Sequence, residues 1–138
     1  MAILMQLPGI AAAFVASCVV TSFADWYFFG VLFHRRYLTT PGVWKSYRNK
    51  TDELVSIGIA QAIFAVSSLV FILVCSHQGW VSARDSITAA VTFWVMLPLP
   101  IIVANAVFIP MDRLIVVSHC LGWLARLVIT AFFVSLFL

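Results

Sequence analysis

Charge is what this sequence has least of. Among 138 residues only eight are Lys or Arg and five are Asp or Glu, 9% in all, where soluble domains carry about 25%. That scarcity excludes a water-exposed domain, which needs many more charged side chains to stay dispersed. No strict apolar–polar alternation runs along the chain, which excludes a transmembrane β-barrel. No Gly-rich phosphate loop and no nucleophile elbow is present, so two common enzyme signatures are missing. The three cysteines, Cys18, Cys75 and Cys120, and the three histidines, His34, His77 and His119, have no zinc or di-iron spacing with the carboxylates, and no metal or cofactor is implied.

What is present is apolar surface in excess. The chain is 64% hydrophobic and 14% aromatic, with mean hydropathy +1.10, which also excludes disorder. The class is integral membrane protein. A span needs about 20 mostly apolar residues, and removing the charged stretches leaves four: Ile10–Phe33, Leu54–Ser76, Ser86–Ile109 and Leu114–Leu138. The expected fold is an all-α, four-helix transmembrane bundle in a single domain over 1–138. Val15-Ala16-Ser17-Cys18 loosely resembles a lipobox. No basic residue precedes the apolar stretch and that stretch runs well past Cys18, so cleavage is not expected.

The few charges are unevenly placed. Arg35, Arg36, Lys45, Arg48 and Lys50 all fall in one loop, His34–Glu53, between the first two spans. The positive-inside rule puts this loop in the cytoplasm and both termini outside, in an inner or plasma membrane. Net charge +3 therefore serves topology, and no nucleic-acid partner is implied. Tyr37, Trp44 and Tyr47 alternate with Arg35, Arg36, Lys45 and Arg48. Such a loop suits the headgroup layer and anionic lipid, or acts as a topology determinant with ordinary belt aromatics. Thr40-Pro41-Gly42 breaks it, leaving Val43–Lys50 as a short interfacial helix.

Two ionisable residues lie deep in spans, Asp25 in the first and Arg126 in the fourth. Each costs ~2.5–3.5 kcal/mol at the centre of a bilayer unless it has a partner or a purpose. At about 1.5 Å per residue, Asp25 is ~12 Å and Arg126 ~18 Å from the cytoplasmic side, a gap an Arg side chain spans by snorkelling. Gln61, Asn105 and His119 fall ~6–10 Å from the same side. Cys18, Thr21, Ser22 and Asp25 share one helix face, as do His119, Gly122, Trp123 and Arg126. Asp25, Gln61, Asn105, His119 and Arg126 are therefore the candidate substrate or ion site. The plain alternative is a structural Asp25–Arg126 pair among interhelical hydrogen bonds. His119 as a haem ligand lacks a second axial histidine at its depth, and a packing role suits it better.

Pro98 and Pro100 sit near the middle of the third span and remove partners from the Trp94 and Met96 carbonyls, which kinks or breaks the helix. Broken helices at the midplane coordinate substrates in transporters, and simple kinks pack against neighbours. Gly9/Ala13, Gly58/Ala62 and Ser118/Gly122 are small-x-x-x-small pairs suited to close packing. Four helices enclose too little volume for a pore, so transport implies a homo-oligomer.

Phe23-Ala24-Asp25-Trp26-Tyr27-Phe28-Phe29-Gly30-Val31-Leu32-Phe33 resembles a pattern in a bacterial family of small four-helix membrane proteins, domain of unknown function number seventeen sixty-one. Trp26-Tyr27, Leu32-Phe33 and Trp44-Lys45 match its Trp-Tyr, Phe and basic Trp-containing loop, while His34 stands where the family has Gly. The resemblance implies a four-span membrane protein and no particular activity. Three functions stay open: an oligomeric permease or solute/lipid-binding bundle, an accessory subunit of a larger membrane complex, or an intramembrane enzyme on a lipid-like substrate with His119 as base.

Overall fold

The computed structural model describes residues 2–39 and 49–138, with side chains from Gln6 onward. Helix α1 (Ala2–Asp25) runs into a π-helical segment (Trp26–Leu32) and a short α2 (His34–Thr39). Then follow α3 (Lys50–Gln78), α4 (Ala83–Met96), α5 (Pro98–Phe108) and α6 (Arg113–Phe137). These elements make four stretches long and apolar enough to cross a membrane: Gln6–Leu32, Lys50–Gln78, Ala83–Phe108 and Arg113–Phe137. The chain is an all-α four-helix bundle and a multi-pass membrane protein.

Polar caps set the helix ends. The Asp52 N–H donates to Asn49 Oδ1 at 2.9 Å, and Asp52 and Glu53 occupy the first turn of α3, where the helix dipole favours negative charge. At the other end Gly79 adopts φ +72°, the left-handed cap that a side chain disfavours, and the Trp80 N–H reaches back to the Cys75 carbonyl. Ser82 caps α4 by accepting from the Asp85 N–H at 3.1 Å. Asp112 caps α6 through the Leu114 N–H at 2.8 Å.

Several boundaries differ from the sequence reading: the first span begins at Gln6 rather than Ile10, the second ends at Gln78 rather than Ser76, and the third begins at Ala83 rather than Ser86. Helix α3 starts at Lys50 rather than Leu54, because the Asn49 cap extends it. The expected interfacial helix Val43–Lys50 is corrected at its end, where Asn49 is extended (φ −155°, ψ 169°) and Lys50 already belongs to α3. The rest of that helix, the Thr40-Pro41-Gly42 break, and Trp44, Lys45, Tyr47 and Arg48 lie outside the described residues.

The third span breaks at Leu97 (φ −121°, ψ −77°), directly before Pro98. Leu97 N–H still donates to the Phe93 carbonyl at 3.0 Å, and α5 restarts with Ile101 N–H on the Leu97 carbonyl at 3.4 Å. Pro98 and Pro100 supply no N–H for the two carbonyls in between.

Helix α6 is the hub, packing on α1, α3, α4 and α5 and burying Ile115, Ser118, Gly122, Leu127, Ala131 and Val134. Helices α1 and α6 run antiparallel at close range. A Cβ at Gly9 would lie 2.5 Å from the Phe137 carbonyl oxygen, so only glycine lets the backbones meet there. A Cβ at Gly58 would meet nothing within 4 Å. The Gly58/Ala62 pair is therefore not a packing site within this chain. Further interhelical hydrogen bonds, Ser76 Oγ to Gln6 Oε1 at 2.6 Å and Ser86 Oγ to the Ala131 carbonyl at 3.1 Å, hold the end away from α2.

Candidate functional site

The two deep charges find each other. Arg126 Nη2 donates to Asp25 Oδ2 in a buried ion pair, with Asp25 7% and Arg126 4% exposed. Gln61 Nε2 donates to the same carboxylate oxygen at 3.1 Å. Gln61 Oε1 in turn accepts from Ser22 Oγ at 3.2 Å. Three helices thus meet through one short polar chain, Ser22–Gln61–Asp25–Arg126. The guanidinium carbon also lies 3.9 Å from the Phe64 ring centroid and 6.0 Å from that of Trp123, close enough for cation–π attraction. Of the five N–H donors an arginine carries, only the one to Asp25 has a protein acceptor among the described residues.

Cavities flank the pair. One of about 210 Å³ is bounded by Asp25, Arg126, His119 and Tyr37 on its polar side and by Phe29, Phe64, Gly122 and Trp123 on the other. A second, about 270 Å³, lies against Cys18, Thr21, Ser22, Gln61 and Arg126. A third, about 450 Å³, shares Asp25, Phe29 and Phe64 with the first and extends to His34 and Glu53. The Cys18–Asp25 face and the His119–Arg126 face both line these spaces. A Cβ on Gly122 would come 3.0 Å from Phe29 Cζ, so the glycine keeps the first cavity open beside that ring.

The π-helical segment places Phe29. Phe33 N–H donates to the Phe28 carbonyl, five residues back, at 2.9 Å, which widens the turn and shifts the side chains that follow Asp25. Trp26 and Tyr27 point outward, 63% and 51% exposed, while Phe29 turns onto Tyr37 and His119, with ring centroids 6.1 and 5.4 Å away.

Of the predicted site residues, the structure brings together Asp25, Gln61, Arg126 and His119. His119 packs edge-on to Tyr37, with centroids 5.9 Å apart. Asn105 is not among them: it is exposed on α5, a helix with no buried residue, whose half-buried positions are Ile102 and Ala106. The lipid-facing role expected of Tyr37 is corrected. Tyr37 is 4% exposed and bonded to Ser118 at 2.6 Å, since α2 folds back against α6. Arg35 and Arg36 on the same helix are exposed, as a lipid-facing role requires.

Three wall residues were missed from the sequence: Phe29, Phe64 and Tyr37. The first two carry a signal, since Phe29 follows Asp25 by four and Phe64 follows Gln61 by three, the spacings of a shared helix face. Tyr37 carries none, because its burial depends on the return of α2. Cys75 and Cys120 are buried and Cys18 partly so, all as free thiols. Among the described residues no three His, Cys, Asp or Glu side chains gather as a metal would require. Comparison of the chain with protein-family models, with curated proteins and with solved structures finds no match.

Proposed function

We propose that this protein binds a small solute or lipid at the Asp25–Arg126 pair, as an oligomeric permease or solute/lipid-binding bundle of the inner membrane. One observation carries this reading: the buried pair adjoins three cavities, and its guanidinium keeps unused donors beside them. A pair serving packing alone gains nothing from open space, which forfeits dispersion contacts and leaves buried donors unmatched. The positive-inside rule supports a cytoplasmic basic loop with both termini outside, and the exposed Arg35 and Arg36 suit anionic lipid there. The same proposal places the chain in the seventeen sixty-one family on Trp26-Tyr27, Leu32-Phe33 and Trp44-Lys45, of which Trp26, Tyr27 and Leu32 lie in the π-helical segment beside the site.

Removing both charges tests the reading. The D25L/R126L double variant leaves no lone buried charge and is expected to keep its assembly. Small molecules retained on mild detergent extraction are identified by mass spectrometry for both forms. A compound held stoichiometrically by the wild type and lost from the double variant supports binding at the pair. Equal retention by both, or none by either, overturns it.

A second reading, an accessory subunit of a larger membrane complex, is favoured by α5. Its apolar residues Val107 and Phe108 are 74% and 86% exposed, and the exposed Asn105 amide has no hydrogen-bond partner among the described residues. A polar amide facing hydrocarbon is costly, and a neighbouring protein, a second copy included, satisfies it. Native mass analysis separates the two: a homo-oligomer of this chain alone removes the subunit reading.

A further inference from the structure

The site's charge balance, shape and outlet select a class of ligand. We propose that the Asp25–Arg126 cavity takes the neutral, planar, carbonyl-bearing head of a membrane amphiphile, the chemistry of a quinone, whose hydrocarbon tail leaves past Trp123. This deepens the solute-binding reading and rests on it.

The head must be neutral. Asp25 and Arg126 cancel one another, and the other titratable groups on the cavity are His119 and Tyr37. An anionic head would place a second negative charge beside Asp25, and a cationic one a second positive charge beside Arg126. Desolvating an unmatched charge is far more costly than desolvating a carbonyl that finds a donor. The head is expected to accept hydrogen bonds from the Arg126 N–H groups that have no protein acceptor among the described residues. Gln61, which bonds Ser22 and Asp25, does not line this cavity.

The head must be flat and small. Phe64 and Trp123 pack edge to face at 88° with centroids 5.3 Å apart, and with Phe29 they form the aromatic wall of the cavity. Aromatic surfaces of this kind favour a ring over a branched chain. At about 210 Å³ the space is below the ~300–1,000 Å³ of sites that enclose drug-sized ligands, and suits a single substituted ring.

The route proposed for the tail is apolar. Trp123 also borders a groove of about 410 Å³ between α3, the α4–α5 break and α6, lined by Val66, Val70, Leu97, Pro98, Ile101 and Leu127. Its one hydroxyl, Ser67 Oγ, is turned back onto the Ile63 carbonyl at 3.2 Å, so the groove offers nothing to a polar head. Val66, Val70, Leu97 and Ile101 are each more than half exposed and face the acyl layer of a bilayer. Arg126 and Leu127, adjacent in sequence, serve the head and the tail respectively.

The test uses the full chain in phosphatidylcholine nanodiscs, titrated with a decyl-substituted benzoquinone and with the same ring lacking its tail. Quenching of tryptophan fluorescence is read for its saturable component. Wild type is expected to saturate with the decyl quinone, and W123F to lose most of that signal. R126K keeps the charge pair but loses the forked donors, and its affinity is expected to fall about tenfold or more. V70W, which fills the groove, is expected to weaken the decyl quinone by a similar factor and leave the tail-less ring unchanged. Oleate and dodecyltrimethylammonium are expected not to compete. Wild-type affinity in R126K, equal weakening of both quinones by V70W, or displacement by either charged amphiphile overturns the proposal. Absence of saturation in wild type also overturns it. The solute-binding reading then still stands if a compound co-purifies with wild type and not with D25L/R126L, and falls with it if none does.

Discussion

The Tyr37 hydroxyl and Ser118 Oγ lie 2.6 Å apart in a buried contact that ties α2 to the hub helix α6. Ser118 already gives its proton to the Ile115 carbonyl at 2.8 Å, so Tyr37 is the donor. Tyr37→Phe keeps the ring contacts with Phe29 and His119 and removes this bond. It is expected to cost about 1 kcal/mol and to speed amide exchange in His34–Thr39, read by hydrogen–deuterium mass spectrometry, while exchange in α3 and α4 stays at the wild-type rate.

The same phenol confers a pH dependence. Burial pushes the Tyr37 pKa up from its ordinary value of 10.0; the Ser118 hydroxyl, able to turn and donate to a phenolate, offsets part of this. A folded-state pKa above the unfolded one means stabilisation that is complete below about pH 10 and lost as pH rises through the folded value. Thermal stability in nanodiscs should therefore fall above pH 10, and the fall should be smaller in Tyr37→Phe. An equal fall in both forms assigns the effect to other groups.

The ion pair should behave asymmetrically under mutation. Asp25→Asn leaves the 4%-exposed Arg126 without its counter-charge, and the expected loss is about 3–5 kcal/mol. The double variant D25L/R126L removes both charges and should lie within ~1–2 kcal/mol of wild type, since apolar replacement of a buried pair is often neutral. Denaturation in mixed micelles measures both. Equal losses in the single and double variants would mean that the pair is not what holds these helices in place.

Two glycines should respond oppositely to the same change. Gly9→Ala drives a methyl group into the Phe137 carbonyl oxygen, 2.5 Å from the Cβ position, and is expected to destabilise by about 1–3 kcal/mol as α1 and α6 separate. Gly58→Ala meets nothing within 4 Å and gains helix propensity of up to about 1 kcal/mol. A large loss from Gly58→Ala would show instead that a second chain packs on α3 at that position.

Much of the site is legible residue by residue, and the reason is energetic. A charge in a span is costly on any helix, so Asp25 and Arg126 stand out before any partner is known, and period 3.6 assigns Ser22 and Gly122 to their faces. The polar character of Asn105 is equally visible, but whether it turns inward depends on which face α5 packs against α6, and that face carries Ile102 and Ala106 rather than Asn105. Tyr37 reads as a headgroup aromatic because it follows Arg35 and Arg36 in a basic, aromatic loop, and only the docking of α2 on α6 buries it.

Composition and spacing alone establish a membrane bundle of four apolar helices, a loop rich in basic residues, a third helix broken by proline and two deep charges. Each of these follows from local free energies: transfer of side chains to hydrocarbon, the missing proline N–H, the width of a bilayer. The tertiary structure alone decided that Asp25 meets Arg126 across 101 positions of chain, that Phe29, Phe64 and Trp123 wall a cavity beside them, that Gly9 and not Gly58 marks a close approach, and that Asn105 faces away. Those outcomes depend on how helices pack, which sums many weak contacts between residues distant in sequence.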